Sequence, residues 1–411
     1  MSEFIDKILA DSQSAKLIFY VAVVLFIGLI FGRIAKLVKL PNVTGYTVAG
    51  LLFGPFVLKI IPADIASGFT VFADVALSFI AFIIGSSFKK SYLKRVGATP
   101  VVIAVFEGVM ASLVTIAVIY LVSGNLVLAL LLGAIASATA PNATMLVIKQ
   151  YNANGNFTDC LLSVVAIDDA IAIFCFGISS AIATAITGSA GTSMLVTVLT
   201  PFYEIFGSLL LGFLVGLIFN LPLKFFKKKS NRTILVVAFI FICNALAVML
   251  DMSALLACMA FGATFINIRP DAKQILDIVD NLTPPINVLF FVISGAQLDI
   301  TVLAVVGIVG VAYMFARVAG KMLGSFTGAC VMKAEPSIKK YLGFALVPQA
   351  GVAIGLSLLV ASDFPELGAE VRAIVLAGTL IFEVFGPMLS KFALSKAGDL
   401  NRQPVIEEIK N

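Results

Sequence analysis

The sequence predicts an all-α polytopic membrane protein, and three observations carry that reading. Sixty per cent of the 411 residues are hydrophobic and only 12% are charged, where a soluble domain carries about a quarter charged. Mean hydropathy is +1.09. The apolar stretches run to about 20 residues, the length of a helix crossing a bilayer, rather than the alternating segments of about ten that build a barrel. Charged residues and Gly/Pro/Asn punctuation divide the chain into thirteen candidate spans. They fall at about 16–38, 43–61, 67–88, 97–123, 125–149, 158–187, 196–222, 233–250, 253–268, 283–298, 301–331, 338–361 and 368–394.

Ahead of the first span, Met1 to Ser14 mixes polar and apolar residues and lacks the basic start and small-residue cleavage site of a signal peptide. We read it as a short interfacial helix that is retained. Orientation follows from the basic residues, which collect in cytoplasmic loops. With the amino terminus outside, alternate loops assigned to the cytoplasm hold 22 of the 28 Lys and Arg residues, including Lys89-Lys90-Lys94-Arg95 and Lys224-Lys227-Lys228-Lys229-Arg232. The carboxyl terminus is then cytoplasmic, in the inner (plasma) membrane of a cell. The net charge of +5 reflects these loops and gives no reason to expect nucleic-acid binding.

Composition also excludes chemistry. The sequence has no histidine, so imidazole metal sites and Ser-His-Asp triads are out. The five cysteines, Cys160, Cys175, Cys243, Cys258 and Cys330, lie in or beside apolar runs without metal-ligand spacing, which argues against zinc and disulfides. No nucleophile–base pair is visible, and neither an enzyme activity nor a cofactor is expected.

Charges inside the spans are the informative residues, because an ionised group at mid-membrane depth costs about 2.5 kcal/mol or more and needs a partner or a purpose. Asp74 in span three reads as interfacial, and Glu204 in span seven lies near its outer part; neither receives a role. Glu107 lies in span four. Span five carries Ala138-Thr139-Ala140-Pro141-Asn142-Ala143-Thr144, where a proline removes a helix hydrogen bond and frees a carbonyl. In span six, Asp168 and Asp169 stand side by side within the apolar run 163–174. Such a pair must be held by partners, water, protons or a bound cation. Span eleven holds Arg317 and Lys321, which share one helix face at i and i+4. Span twelve repeats the break of span five with Leu346-Val347-Pro348-Gln349-Ala350-Gly351, and span thirteen repeats the following acid with Glu383.

Seven spans separate the two copies, so they enter from opposite faces of the membrane. This is the layout of inverted-repeat secondary transporters with sites built on discontinuous crossing helices. We therefore divide the chain into a first repeat of six helices at 16–187, a linker helix at 196–222, a second repeat of six helices at 233–396, and a short cytoplasmic tail at 397–411. Two assignments of the basic residues are open. Arg317 or Lys321 faces the aspartates and offsets their charge, or Arg317 pairs with Glu107 as a brace while Lys321 snorkels toward the cytoplasm. Glu383, next to Gly386-Pro387, is either a second ion-handling acid or a brace.

The stretch Leu40-Pro41-Asn42-Val43-Thr44-Gly45-Tyr46-Thr47-Val48-Ala49-Gly50-Leu51-Leu52-Phe53-Gly54-Pro55 resembles the P-x-x-x-G-Y-x-x-A-G-x-x-x-G-P signature of bacterial monovalent cation:proton antiporters of the sodium/hydrogen exchanger superfamily. Asp168-Asp169 resembles the double-aspartate ion site of its electrogenic branch. Thr139-Ala140-Pro141 and Val347-Pro348-Gln349-Ala350-Gly351 resemble the unwound centres of the two crossing helices, and Arg317 is the preferred match to the key basic position. The similarity covers about residues 16–396. It implies thirteen helices per subunit, a dimerisation domain plus a mobile core, homodimers, and an elevator-like movement of the core. It also implies that Asp169 is the essential ion-binding aspartate and Asp168 the neighbour linked to the basic residue. Two positions depart from the pattern: Ala140 stands where many relatives have aspartate, and Arg317 where electrogenic relatives more often have lysine.

The resulting expectation is a secondary antiporter in which a monovalent cation and protons compete for Asp168 and Asp169, with neutral oxygens from Thr139, Asn142 and Ser163. A compact oxygen site favours Na+ or Li+. The alternatives are a K+/H+ antiporter or K+ efflux protein and, in other classes, a passive cation channel or a solute symporter.

Overall fold

The computed structural model describes residues 13–68, 70–86, 88, 97–187, 194–269, 272–300 and 306–400. The interfacial segment Met1–Ser14, the basic loop Lys89-Lys90-Lys94-Arg95 and the tail 397–411 lie wholly or mostly outside those residues, as does the side chain of Asp74. The described elements are helical throughout. In chain order they are α1 Gln13–Leu37, α2 Asn42–Phe53, α3 Ala63–Gly68, α4 Thr70–Ser86, α5 Thr99–Ser123, α6 Leu126–Ala136, α7 Pro141–Gln150, α8 Asn156–Thr187 and α9 Met194–Phe219. There follow α10 Pro222–Phe225, α11 Lys229–Met249, α12 Ala254–Ile268, α13 Ala272–Gln297, α14 Gly307–Val331, α15 Pro336–Ala345, α16 Gly351–Asp363 and α17 Pro365–Ala397. Among the described residues, nine helical runs are long and apolar enough to cross a membrane. Three shorter apolar helices, Val75–Ser86, Ala254–Ile268 and Gly351–Ala361, accompany them.

Several predicted spans differ from the elements that form, each for a local reason. Span 43–61 ends as a helix at Phe53, because Gly54-Pro55 follows and proline cannot continue a helix interior. The chain then turns, with Lys59 at φ 53°, before the short α3. The predicted span 283–298 starts too late. The helix begins at Ala272 and runs through Pro284 and Pro285. Runs 125–149 and 338–361 are each two helices, α6 with α7 and α15 with α16, separated at 137–140 and 346–350.

The helices pack into two groups. One contains α5, α6, α7, α8, α14, α15, α16 and α17, with α5 against α14 as its most extensive contact. The other contains α1, α2, α4, α9, α11, α12 and α13. Two close approaches fix these groups. On α14 a Cβ at Gly320 would lie 2.7 Å from the Ala111 Cα and one at Gly324 2.5 Å from the Phe106 carbonyl oxygen, so only glycine lets α14 lie directly on α5. In the second group a Cβ at Gly50 would collide with the Val292 carbonyl, so the glycine of the Ala49-Gly50 step seats α2 on α13. Contacts of α8 with α9, and of α2 with α7 and α17, join the groups.

Candidate functional site

The two helix breaks meet each other, and their exposed backbone groups account for most of the site. Helices α6 and α15 end head to head, which leaves the last carbonyls of each without intrahelical donors. Buried in a membrane, such groups must find partners. The Ala140 amide donates to the Pro348 carbonyl at 2.9 Å. Thr144 donates to the Ala345 carbonyl at 3.3 Å, and Gln349 donates to that of Ile135 at 3.2 Å. Tyr313 from α14 lies 2.9 Å from the same Gln349 amide nitrogen. Each break therefore supplies donors for the other.

Arg317 completes this set. Its guanidinium donates to the carbonyls of Val347 at 2.6 Å and Ala138 at 2.7 Å, with Pro348 at 3.4 Å, and it lies 4.6 Å from the centre of the Phe382 ring. One fixed cation thus sits between two helix C-termini, whose partial negative charges it offsets. Lys321, one turn further on, faces acids instead. Its ammonium pairs with Glu107 Oε1, lies 3.4 Å from Asp168 Oδ2, and donates to Thr139 Oγ1 at 2.7 Å and the Ser137 carbonyl at 2.8 Å. Thr139 in turn donates to Asp168 Oδ2. Of the two basic residues left open by the sequence, Lys321 makes the contacts with Asp168 and Glu107 and is buried rather than snorkelling outward, and Arg317 does not pair with Glu107.

Asp169 is different from its neighbour. It is 1% exposed, and neither carboxylate oxygen has a hydrogen-bond partner among the described residues. Glu107, Asp168, Asp169, Arg317 and Lys321 are all buried. Counted as ionised, three carboxylates and two basic groups leave one negative charge, which a proton or a monovalent ion would neutralise. The remaining candidates fall at different distances from this centre. Asn142 is buried in the first turn of α7, and its Oδ1 has no hydrogen-bond partner among the described residues. Ser163 donates to the Asp159 carbonyl one turn back on its own helix. Glu383, fully buried on α17, accepts from Ser294 of α13 at 3.1 Å, across the boundary between the helix groups. Pro141 begins α7, and Pro348 lies in the second break.

A family model described as sodium/hydrogen exchanger, transmembrane, matches residues 21–395. The chain belongs to the sodium/hydrogen exchanger family. The fold agrees: the sodium proton antiporter MjNhaP1 from Methanocaldococcus jannaschii at pH 8 superposes with a TM-score of 0.75 at 21% identity. That alignment covers 94% of this chain and 99% of the other. A second structure of MjNhaP1, from electron microscopy, gives 0.72 at 22% identity over 94% and 98% of the two chains. No curated protein matches the chain in sequence. Membership in this exchanger family supports cation/proton antiport and fits a transporter rather than an enzyme.

Sequence reasoning missed two features of this exchanger's site. Tyr313 reads as an ordinary aromatic in an apolar run, and only its position one turn before Arg317 links it to the breaks. Asn287 reads as one polar residue within the span 283–298; its amide oxygen is buried, has no partner among the described residues, and lies on the helix facing Asn142.

Proposed function

We propose that the protein exchanges a monovalent cation, Na+ or Li+ in preference to K+, for protons by alternating access around Asp168 and Asp169. The observation that carries this is the contrast within the pair: Asp168 is held by Lys321 and Thr139, while Asp169 is buried with both oxygens unclaimed. Asp169 is then the exchangeable ligand and Asp168 its anchored neighbour. A loaded or protonated cluster is neutral and can change sides; the ionised empty one is held back by its desolvation cost. Opposite coupling of the two fluxes follows. Asn142 supplies a neutral oxygen near the break, and Glu107 and Lys321 form the charge-compensating pair.

Around this centre the reading comprises two inverted repeats, 16–187 and 233–396, joined by the helix at 196–222, with crossing helices broken at 137–140 and 346–350. The group containing α5 to α8 and α14 to α17 is the moving core, and the other group carries the homodimer contact. The sodium proton antiport named for MjNhaP1 supports the choice of Na+ over K+. In everted vesicles with an internal pH dye, Asp169→Asn at parental expression abolishes sodium-induced alkalinisation. Exchange at the parental rate would refute the site. A panel of Na+, Li+ and K+ in the same assay separates the sodium reading from potassium exchange, and cation current without proton movement would indicate a channel.

A further inference from the structure

A cavity of about 680 Å³ opens between the two helix groups on the face that carries Lys36 and Lys149. A smaller one, about 10 Å³, shares Leu146, Lys149, Thr283 and Asn287 with it and ends at Asn142. The smaller volume is the room one water molecule needs, and a bare alkali ion is of comparable size. The cavities follow two helix faces in register. On α13, Asp280, Thr283 and Asn287 are spaced i, i+3, i+7; on α7, Lys149, Leu146 and Asn142 recede with the same period. At the mouth Lys149 pairs with Asp280 at 2.5 Å. At the inner end the amide oxygens of Asn142 and Asn287, 4% and 6% exposed, are both without hydrogen-bond partners among the described residues.

Two buried amide oxygens without partners among the described residues, set against one water-sized space, are costly unless something visits them. Each amide can turn to offer its oxygen. Thr139, three residues before Asn142 at the same helix break, already bonds Asp168. The wall is also unusual in its backbone. Pro284 and Pro285 supply no N–H, which removes the normal intrahelical donors for the carbonyls of Asp280 and Asn281.

We propose that Asn287, together with Asn142, forms a transit subsite for a partly dehydrated monovalent cation between the vestibule and Asp168–Asp169. The subsite is neutral, so it replaces hydration oxygens without trapping the ion. Asn287 belongs to the helix group opposite the carboxylates, so the subsite exists only while the two groups are in this arrangement. It releases its ion when they separate. This rests on the antiport reading of the same site.

The test is initial-rate exchange by the full-length protein in proteoliposomes at fixed pH, with Na+ as the probe. Asn287→Leu removes the oxygen and fills the space. We expect kcat/KM for Na+ to fall about 3- to 10-fold, the effect of one lost polar contact, with kcat at saturating Na+ within about twofold of the parent. Asn287→Val carries the same expectation if the leucine variant does not fold. Parental kcat/KM in a folded variant, or a fall in kcat with KM unchanged, overturns the subsite. If the parent itself moves no protons in response to Na+, the antiport reading has failed first.

Discussion

Arg317 and Lys321 lie one helical turn apart, yet the first holds carbonyls and the second holds carboxylates. Their variants should therefore fail in different ways. Arg317→Lys keeps the charge but cannot span the carbonyls of Val347, Ala138 and Pro348, which leaves buried acceptors unmade at about 1–3 kcal/mol each. It should lower the thermal midpoint and the maximal rate while leaving the shape of the pH profile unchanged. Lys321→Met removes the counter-charge of Glu107 and Asp168. The cluster then carries one more uncompensated negative charge, so the rate should fall and the pH profile of exchange should move. Parallel thermal melts and rate–pH curves check both, and a moved profile for Arg317→Lys with an unmoved one for Lys321→Met would reverse the assignment. The sequence made Asp168-Asp169 legible because two acids in an apolar run have no cheap structural explanation. Spacing alone could not rank the two basic residues, since i and i+4 share a face and the choice depends on how α5 presents Glu107.

That presentation is set by helix packing, where the glycines of α14 act. Gly320 and Gly324 bring the α5 and α14 backbones together, and this closeness puts Lys321 against Glu107. A Cβ at Gly324 has no room beside the Phe106 carbonyl, whereas one at Gly355 on α16 meets nothing within 4 Å. Gly324→Ala should thus destabilise by about 1–3 kcal/mol through overpacking. Gly355→Ala should be neutral or stabilise by about 0.5–1 kcal/mol through the helix preference alone. Thermal melts in detergent compare the two, and equal shifts would show that the close approach is not what holds α14. At this scale the prolines marked both broken runs in the sequence. The exact donors for the freed carbonyls did not show, because Gln349 and Arg317 reach across more than a hundred residues to Ile135 and Ala138. The span 283–298 misses the first part of α13, which runs from Ala272 through Pro284-Pro285 and is supported by packing on α1, α2 and α4.

Across the whole molecule, the polar contacts between the two helix groups concentrate on α7 and α17. Lys149 pairs with Asp280, Gln150 accepts from the Asn42 amide at 2.7 Å, Lys391 donates to the Lys39 carbonyl, Thr44 donates to the Val384 carbonyl at 3.3 Å, and Ser294 bonds Glu383. Composition and hydropathy foretold a polytopic helical chain, but this seam was not legible, since its partners lie far apart in sequence and several are single backbone groups. Exposed or part-exposed pairs such as Lys149–Asp280 are worth at most about 1 kcal/mol, so they cost little to break. If the group holding Asp169 must slide against its neighbour during exchange, then tethering Lys149 to Asp280 should stop it. Lys149→Cys with Asp280→Cys, joined by a short thiol-specific cross-linker, should abolish sodium-dependent proton flux and recover it when a reducible linker is cleaved. The parent, whose five cysteines stay in place, serves as the reagent control. Undiminished flux through fully cross-linked protein would mean that the ion changes sides without relative movement of the two groups at this seam, and the alternating-access account would then need its motion elsewhere.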